Sequence, residues 1–178
     1  MELIIVRHGQ SEANQQDITS GPDVSLTIEG KQQAGDLARR LQNLEIEKIY
    51  SSPFKRAMHT AQPIADLLNI RIDVDHRLRE VSFGSFEGRP HSEVIKTIGK
   101  DPRGLFNEYE YDFKPYGGES SKEVEARVKS FLEDLKKQRY KLVLIVTHGG
   151  IIRWINYLVT GEKIGSTTYA EELHLNHQ

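Results

Sequence analysis

Cysteine is absent from the 178 residues. Disulfides, thiolate zinc sites, iron–sulfur clusters and cysteine nucleophiles are therefore excluded together. Long apolar runs are missing as well: the longest strictly apolar stretch, Leu142 to Val146, is far shorter than the roughly 18 residues of a membrane-spanning helix. Met1-Glu2 leads straight into Leu3-Ile4-Ile5-Val6, without the basic start, long apolar core and small-residue cleavage site of a secretory leader. The expectation is a soluble, cytoplasmic protein. A positive surplus is also lacking, since 24 Lys and Arg face 26 Asp and Glu for a formal charge of −2. Broad binding to nucleic acid or to an anionic membrane needs such a surplus, so neither is an expected partner. No repeat of 20 to 50 residues and no low-complexity tract is present.

What remains is a globular composition, and at about 150 residues per domain the chain reads as a single domain over 1–178. Glu2–Val6 and Lys141–Thr147 are apolar runs with polar borders, the pattern of central parallel strands covered on both faces. Lys48–Ser51 and Arg71–Val74 are weaker strand candidates. Helical patterns alternate with these strands. One is capped by Thr27 and runs to Leu41; another starts at Ser120, with Ser120 and Glu123 as a capping box, and should end near Arg139. A third runs from Gly149 to a stop at Gly161, and Phe54–Leu68 is helical in pattern with Pro63 predicted to kink or divide it. The alternation implies an α/β fold, a three-layer sandwich with a mostly parallel central sheet flanked by helices.

The segment of about 83–119 departs from this order and reads as a lid-like insertion. Phe83, Phe86, Phe106, Tyr109, Tyr111, Phe113 and Tyr116 lie within it. A small satellite core is the first reading of those rings, with some of them lining a substrate pocket as the second. The charges from Glu108 to Lys114 read as a solvated face.

Both strong strands run into a His-Gly step: Arg7-His8-Gly9 after the first and Thr147-His148-Gly149-Gly150 after the last. Ligands of open α/β sheets bind beyond the carboxyl ends of the strands, so the two steps could face one site. Glycine after each histidine allows close backbone approach to a ligand, and Gly149 and Gly150 at a helix start offer N–H groups to an anion. Arg7, and Arg56 at another helix start, add planar forks of donors suited to phosphate oxygens. His59, His76, His91, His174 and His177 stand at no ligand spacing and read as solvated; no metal site is expected.

In order along the chain, Arg7-His8-Gly9-Gln10-Ser11-Glu12-Ala13-Asn14, Leu26-Thr27 with Gly30 and Ala34, Ser51-Ser52-Pro53 with Arg56, Leu78-Arg79-Glu80 with Phe83-Gly84, and Thr147-His148-Gly149-Gly150 resemble the blocks of the histidine phosphatase superfamily. That group includes phosphoglycerate mutases and many small phosphomonoesterases. The resemblance implies that His8 is the nucleophile, that Arg7, Arg56 and His148 clamp the phosphoryl oxygens, and that Asn14 and the Gly149 backbone assist. It implies Glu80 as proton donor to the leaving oxygen and, more weakly, Ser20 and Gly21 as substrate contacts. On the residues alone, the first reading of Glu80 is a surface carboxylate paired with Arg77 or Arg79. To donate, it must be protonated, a state favoured by burial or by the charge of a bound phosphate.

The implied activity is hydrolysis of a small phosphorylated metabolite through a phosphohistidine, with no cofactor and with the positive charge supplied by Arg7, Arg56 and a protonated His148. The alternatives are a cofactor-dependent phosphoglycerate mutase and a catalytically silent phosphate-binding module. Against the mutase, Phe83–Pro90 carries no tyrosine or lysine, the Arg39-Arg40 pair lies outside the insertion, and Gly150 stands where mutases usually have asparagine. Against the silent module, His8 and Glu80 are both present.

Overall fold

The computed structural model describes residues 1–177, apart from the side chains of residues 102, 106 and 107. Strands β1 (Glu2–Arg7), β2 (Lys48–Ser51), β3 (Ile72–Val74), β4 (Leu142–Thr147) and β5 (Glu172–Asn176) form one sheet in the order β3-β2-β4-β1-β5. The first four are parallel to their neighbours, and β5 pairs antiparallel with β1. The helices are α1 (Glu12–Gln15), α2 (Ile28–Leu41), α3 (Lys55–Leu68), α4 (His91–Ile98), α5 (Pro102–Glu108), α6 (Ser121–Lys136) and α7 (Gly149–Thr160).

Successive residues of β1 and β4 point to opposite faces, and both faces are covered. Leu3, Ile5, Val143 and Ile145 join one apolar cluster with Val124, Val128 and Phe131 of α6 and Ile151 and Ile155 of α7. Ile4, Val6, Leu144 and Val146 join the other with Leu37 and Leu41 of α2 and Ala57, Ala61 and Ile64 of α3. This two-sided burial is why the strands carry no alternation, and each large aliphatic side chain so placed contributes roughly 1.5–3 kcal/mol.

The caps anticipated at Thr27 and Ser120 are formed: Thr27 accepts from the Gly30 N–H, and Ser120 and Glu123 make the reciprocal box. Helix α6 ends at Lys136, a turn short of the expected Arg139. Helix α3 runs unbroken through Pro63, so the expected division does not occur. Proline there withholds one N–H from the His59 carbonyl, while Ala57, Ala61, Ile64 and Ala65 keep the helix packed on the core.

The insertion holds α4, α5 and two short 3-10 turns, Gly84–Phe86 and Lys114–Tyr116. Its rings are not a satellite core. Phe83, Phe86, Tyr109, Tyr111 and Phe113 belong to the same cluster as Leu3 and Ile145, and the Trp154 indole N–H donates to the Tyr111 hydroxyl at 3.0 Å. The Phe106 ring lies outside the described residues. From Glu108 to Lys114 charged residues alternate with buried Tyr109, Tyr111 and Phe113, so the charges are solvated while the rings anchor the segment.

Candidate active site

Strands β1 and β4 are paired in register up to Arg7 and Thr147, so His8 and His148 leave the sheet side by side. The His8 N–H donates to the Thr147 carbonyl at 2.9 Å, and the two imidazole centroids are 5.1 Å apart. Both rings are buried.

The surroundings of His8 fix its tautomer. Nδ1 lies 2.7 Å from the Gly9 carbonyl, which accepts and never donates, so Nδ1 carries the proton. Nε2 then presents a lone pair, and Arg56 Nε donates to it at 3.2 Å. Burial, followed by the guanidinium charges of Arg56 and Arg7, holds the His8 pKa well below its ordinary value.

Two glycines let the loop sit where it does. A Cβ on Gly9 would come within 2.5 Å of the Gly30 carbonyl oxygen, and one on Gly30 would strike the Gln10 carbonyl. Gly9 therefore serves the close approach of α2, where the sequence suggested approach of a ligand. The Gly9 N–H donates to Thr60 Oγ1 at 3.0 Å, and that hydroxyl donates to the Arg56 carbonyl at 2.7 Å, locking the start of α3 to the His8 loop.

Arg56 is almost fully buried, and its Nη1 donates to the Gly21 carbonyl at 2.6 Å. Burial lowers its pKa to about 10, with Glu80 opposing the shift, so it stays charged at neutral pH. Arg7 donates through Nη1 to the Thr167 carbonyl at 2.7 Å, and its guanidinium stacks 4.1 Å from the Tyr169 ring centroid. Arg7 Nε is buried without a hydrogen-bond partner among the described residues, as are Ser20 Oγ, Thr19 Oγ1 and His148 Nδ1. Buried donors of this kind are costly unless matched, and an anion such as phosphate is the partner they suit.

His148 stands edge-on beside His8 with its Nε2 2.8 Å from Ser52 Oγ; it is not among the residues lining the cavity, yet its Nδ1 is left without a partner among the described residues. Burial, then Arg56, His8 and Arg7, push its pKa well down, so in the free protein it is neutral and adds no positive charge. The two depressed histidines make stability pH-dependent. The folded state resists protonation that the unfolded chain accepts below about pH 6.5, so stability is full above that pH and falls as pH drops. Urea unfolding at pH 7.0 and 5.5 should show a loss of about 1–3 kcal/mol at the lower pH from this pair. Equal stability at both would mean that the two rings charge freely in the folded state.

Glu80 follows the short turn His76–Leu78, and its first reading as a surface ion pair does not hold. Arg77 pairs with Asp75 and Asp134, and Arg79 with Glu119. The Glu80 carboxylate accepts from the Val81 N–H at 3.0 Å and from the Gly150 N–H at 3.3 Å. Of the two N–H groups expected to receive an anion at the start of α7, one is thus taken by the protein's own carboxylate. A Cβ on Gly150 would lie 2.5 Å from Glu80 Oε1, so glycine there leaves room for this arrangement.

A cavity of about 170 Å³ opens over His8, and six of the nine expected residues line it: Arg7, His8, Asn14, Ser20, Arg56 and Glu80. The Asn14 side-chain oxygen caps α1 by accepting from the Ser11 N–H and hydroxyl, leaving its NH2 to donate. Gly21 and Gly149 do not line the cavity; Gly21 anchors Arg56, and Gly149 opens α7 against Thr167. Asp17, His91, Arg103 and Tyr169 also line it and were not anticipated. His91, read from sequence as solvated, has a side chain only 15% exposed. None of the four sits in a local pattern that announces a site. Among the described residues, no group of three or more His, Asp or Glu could hold a metal ion.

The family model of the histidine phosphatase superfamily (branch 1) matches residues 3–171. The chain belongs to this superfamily. Among its histidine phosphatase relatives is a Hydrogenobacter thermophilus protein named as a candidate phosphoserine phosphatase 2, 43% identical over 162 residues, 89% of this chain and 78% of that one. A 2,3-bisphosphoglycerate-dependent phosphoglycerate mutase of Mesorhizobium japonicum is 31% identical over 170 residues, 90% of this chain and 82% of that one. The solved structure of a mycobacterial glucosyl-3-phosphoglycerate phosphatase with VO3 superposes with a TM-score of 0.86 at 26% identity, over 98% of this chain and 90% of that one. The α/β fold with a mostly parallel sheet is thus shared with histidine phosphatases.

Proposed function

We infer that this chain hydrolyses small phosphomonoesters by way of a phosphohistidine on His8. The observation that carries the reading is the state of that ring: neutral, protonated on Nδ1, with the Nε2 lone pair turned to the cavity's arginine Arg56. When a phosphoryl oxygen takes over the Arg56 Nε–H, that lone pair is released for attack, and Arg7 and Arg56 supply donors for the equatorial oxygens of the transition state. In the first step Nε2 bonds to phosphorus while the ester P–O bond breaks, and Glu80 passes its proton to the leaving oxygen. In the second, Glu80 as carboxylate takes a proton from water, whose oxygen bonds to phosphorus as the P–N bond breaks. Inorganic phosphate leaves and His8 is neutral again. Asn14 and Ser20 add donors at the cavity wall, and the unpartnered Nδ1 of His148 adds a further contact for phosphate beside the His8 ring.

A mutase would share the first step and return the phosphoryl group to substrate. The departures from the mutase pattern, no tyrosine or lysine in Phe83–Pro90 and Gly150 in place of asparagine, support water as acceptor. No helix among the described residues is long and apolar enough to cross a membrane, which is compatible with a cytoplasmic enzyme acting on metabolites.

Incubation with 3-phosphoglycerate, with no bisphosphoglycerate added, should release phosphate faster than it forms 2-phosphoglycerate. A chelator should leave the rate unchanged, because Arg7 and Arg56 provide the charge that metal ions provide elsewhere. Vanadate, which adopts the five-coordinate geometry of the transition state, should inhibit. Dominant interconversion would favour the mutase, loss of activity with chelator would require a metal, and no turnover of any aryl phosphate would favour the silent binding module.

A further inference from the structure

The same cavity is lined by Asp17, His91 and Arg103, which the phosphoryl chemistry does not use. One oxygen, Asp17 Oδ1, takes both neighbours: His91 Nδ1 lies 3.0 Å away and Arg103 Nη1 donates at 2.9 Å. The other oxygen stays available, on a side chain 63% exposed. Arg103 also places Nε and Nη2 on Asp101, which leaves one N–H on each terminal nitrogen for a further acceptor.

These groups stand on a braced frame. The His91 N–H donates to the Asp17 carbonyl at 3.1 Å, the Thr19 N–H to the Arg89 carbonyl at 2.8 Å, and the Gly88 N–H to the Thr19 carbonyl at 2.8 Å. Asp17 itself has φ of 55°, in the left-handed region that Asp and Asn tolerate better than other side chains. Residues kept in uncommon conformations cluster at ligand-binding walls.

The cavity wall therefore presents a carboxylate and a guanidinium side by side, next to the arginines of the phosphate end. A substrate tail with only a negative group would meet Arg103 but also Asp17 and Asp101. A neutral hydroxylated tail would gain little over water. A tail carrying an ammonium and a carboxylate answers both charges at once. On the reading that this cavity hydrolyses phosphomonoesters, we propose that Asp17 and Arg103 form a tail-recognition subsite for small zwitterionic substrates, O-phosphorylated α-amino acids. Asp17 takes the ammonium and Arg103 the carboxylate, with His91 positioning Asp17.

O-Phosphoserine and 3-phosphoglycerate differ only in an ammonium against a hydroxyl, and phosphoethanolamine lacks only the carboxylate of phosphoserine. Relative kcat/KM for the three, measured on the protein and on Asp17→Asn and Arg103→Gln, reads the subsite. The unaltered protein should favour phosphoserine over each analogue by about tenfold, the scale of one charge-assisted contact. Asp17→Asn, which suits the left-handed backbone, should collapse the phosphoserine to 3-phosphoglycerate ratio toward one. Arg103→Gln should collapse the phosphoserine to phosphoethanolamine ratio. Ratios within one variant cancel any loss of folded enzyme. Equal use of phosphoserine and 3-phosphoglycerate, or an unchanged ratio in Asp17→Asn, overturns the assignment. If neither these compounds nor nitrophenyl phosphate is hydrolysed, the hydrolase reading fails by itself. Calorimetric binding of the same three ligands then decides the subsite: the same order supports it and equal binding overturns it.

Discussion

His8→Ala is expected to lower kcat for every phosphomonoester by about 10⁴-fold or more while the chain stays folded, the scale of removing a covalent nucleophile from a site that otherwise remains. The reason lies in the ring's three contacts. The Gly9 carbonyl holds the Nδ1 proton, Arg56 meets the Nε2 lone pair, and the neighbouring guanidiniums with burial keep the imidazole uncharged. No other described side chain in the cavity offers a neutral nitrogen so placed: His148 lies outside the lining with Nε2 on Ser52, and His91 is tied to Asp17. Steady-state assays with nitrophenyl phosphate, alongside circular dichroism of the variant, check the result. Retention of a tenth or more of the activity in folded His8→Ala would remove His8 as nucleophile.

Glu80→Gln should divide substrates by their leaving groups. Esters of basic alcohols need a proton on the departing oxygen, so they should lose about 10²- to 10⁴-fold, the usual contribution of general acid catalysis. Cleavage of the ester bond in nitrophenyl phosphate needs little such help and should lose far less in the phosphorylation step. Glutamine is not a neutral replacement here. Glu80 accepts from two backbone N–H groups with two different oxygens, and the amide NH2 would face one of those donors. Comparing substrates within the variant removes this common structural cost. Equal losses on both substrate types would mean that Glu80 only positions ligand.

The parts of the fold that sequence revealed are those whose signals are local and whose burial is two-sided. β1 and β4 were legible because Leu3 to Val6 and Val143 to Val146 feed two cores at once, and α2 and α6 because Thr27 and Ser120 cap them. Strand β5 was missed: its short alternation of Leu173 and Leu175 at a sheet edge is weak beside the continuous runs. At the site, His8, Arg7, Arg56 and Glu80 follow the ends of elements, and their neighbours in sequence form dense blocks. Tyr169, which stacks on Arg7, and Asp17, His91 and Arg103 reach the cavity from the C-terminal segment, the loop after α1 and the insertion. Their nearness exists only once the chain is folded. The places of His148 and Gly150 were likewise decided by tertiary contacts, with Ser52 and with Glu80.

The phosphoenzyme is the most direct test. Glu80→Gln should still be phosphorylated by an activated aryl ester yet react slowly with water, so the intermediate should accumulate in it. Rapid mixing with radiolabelled nitrophenyl phosphate, a quench in base and peptide mapping should find acid-labile, base-stable phosphate on the peptide containing His8, and none in the double variant that also carries His8→Ala. Turnover without label at His8, or label on His148 in its place, would contradict the account.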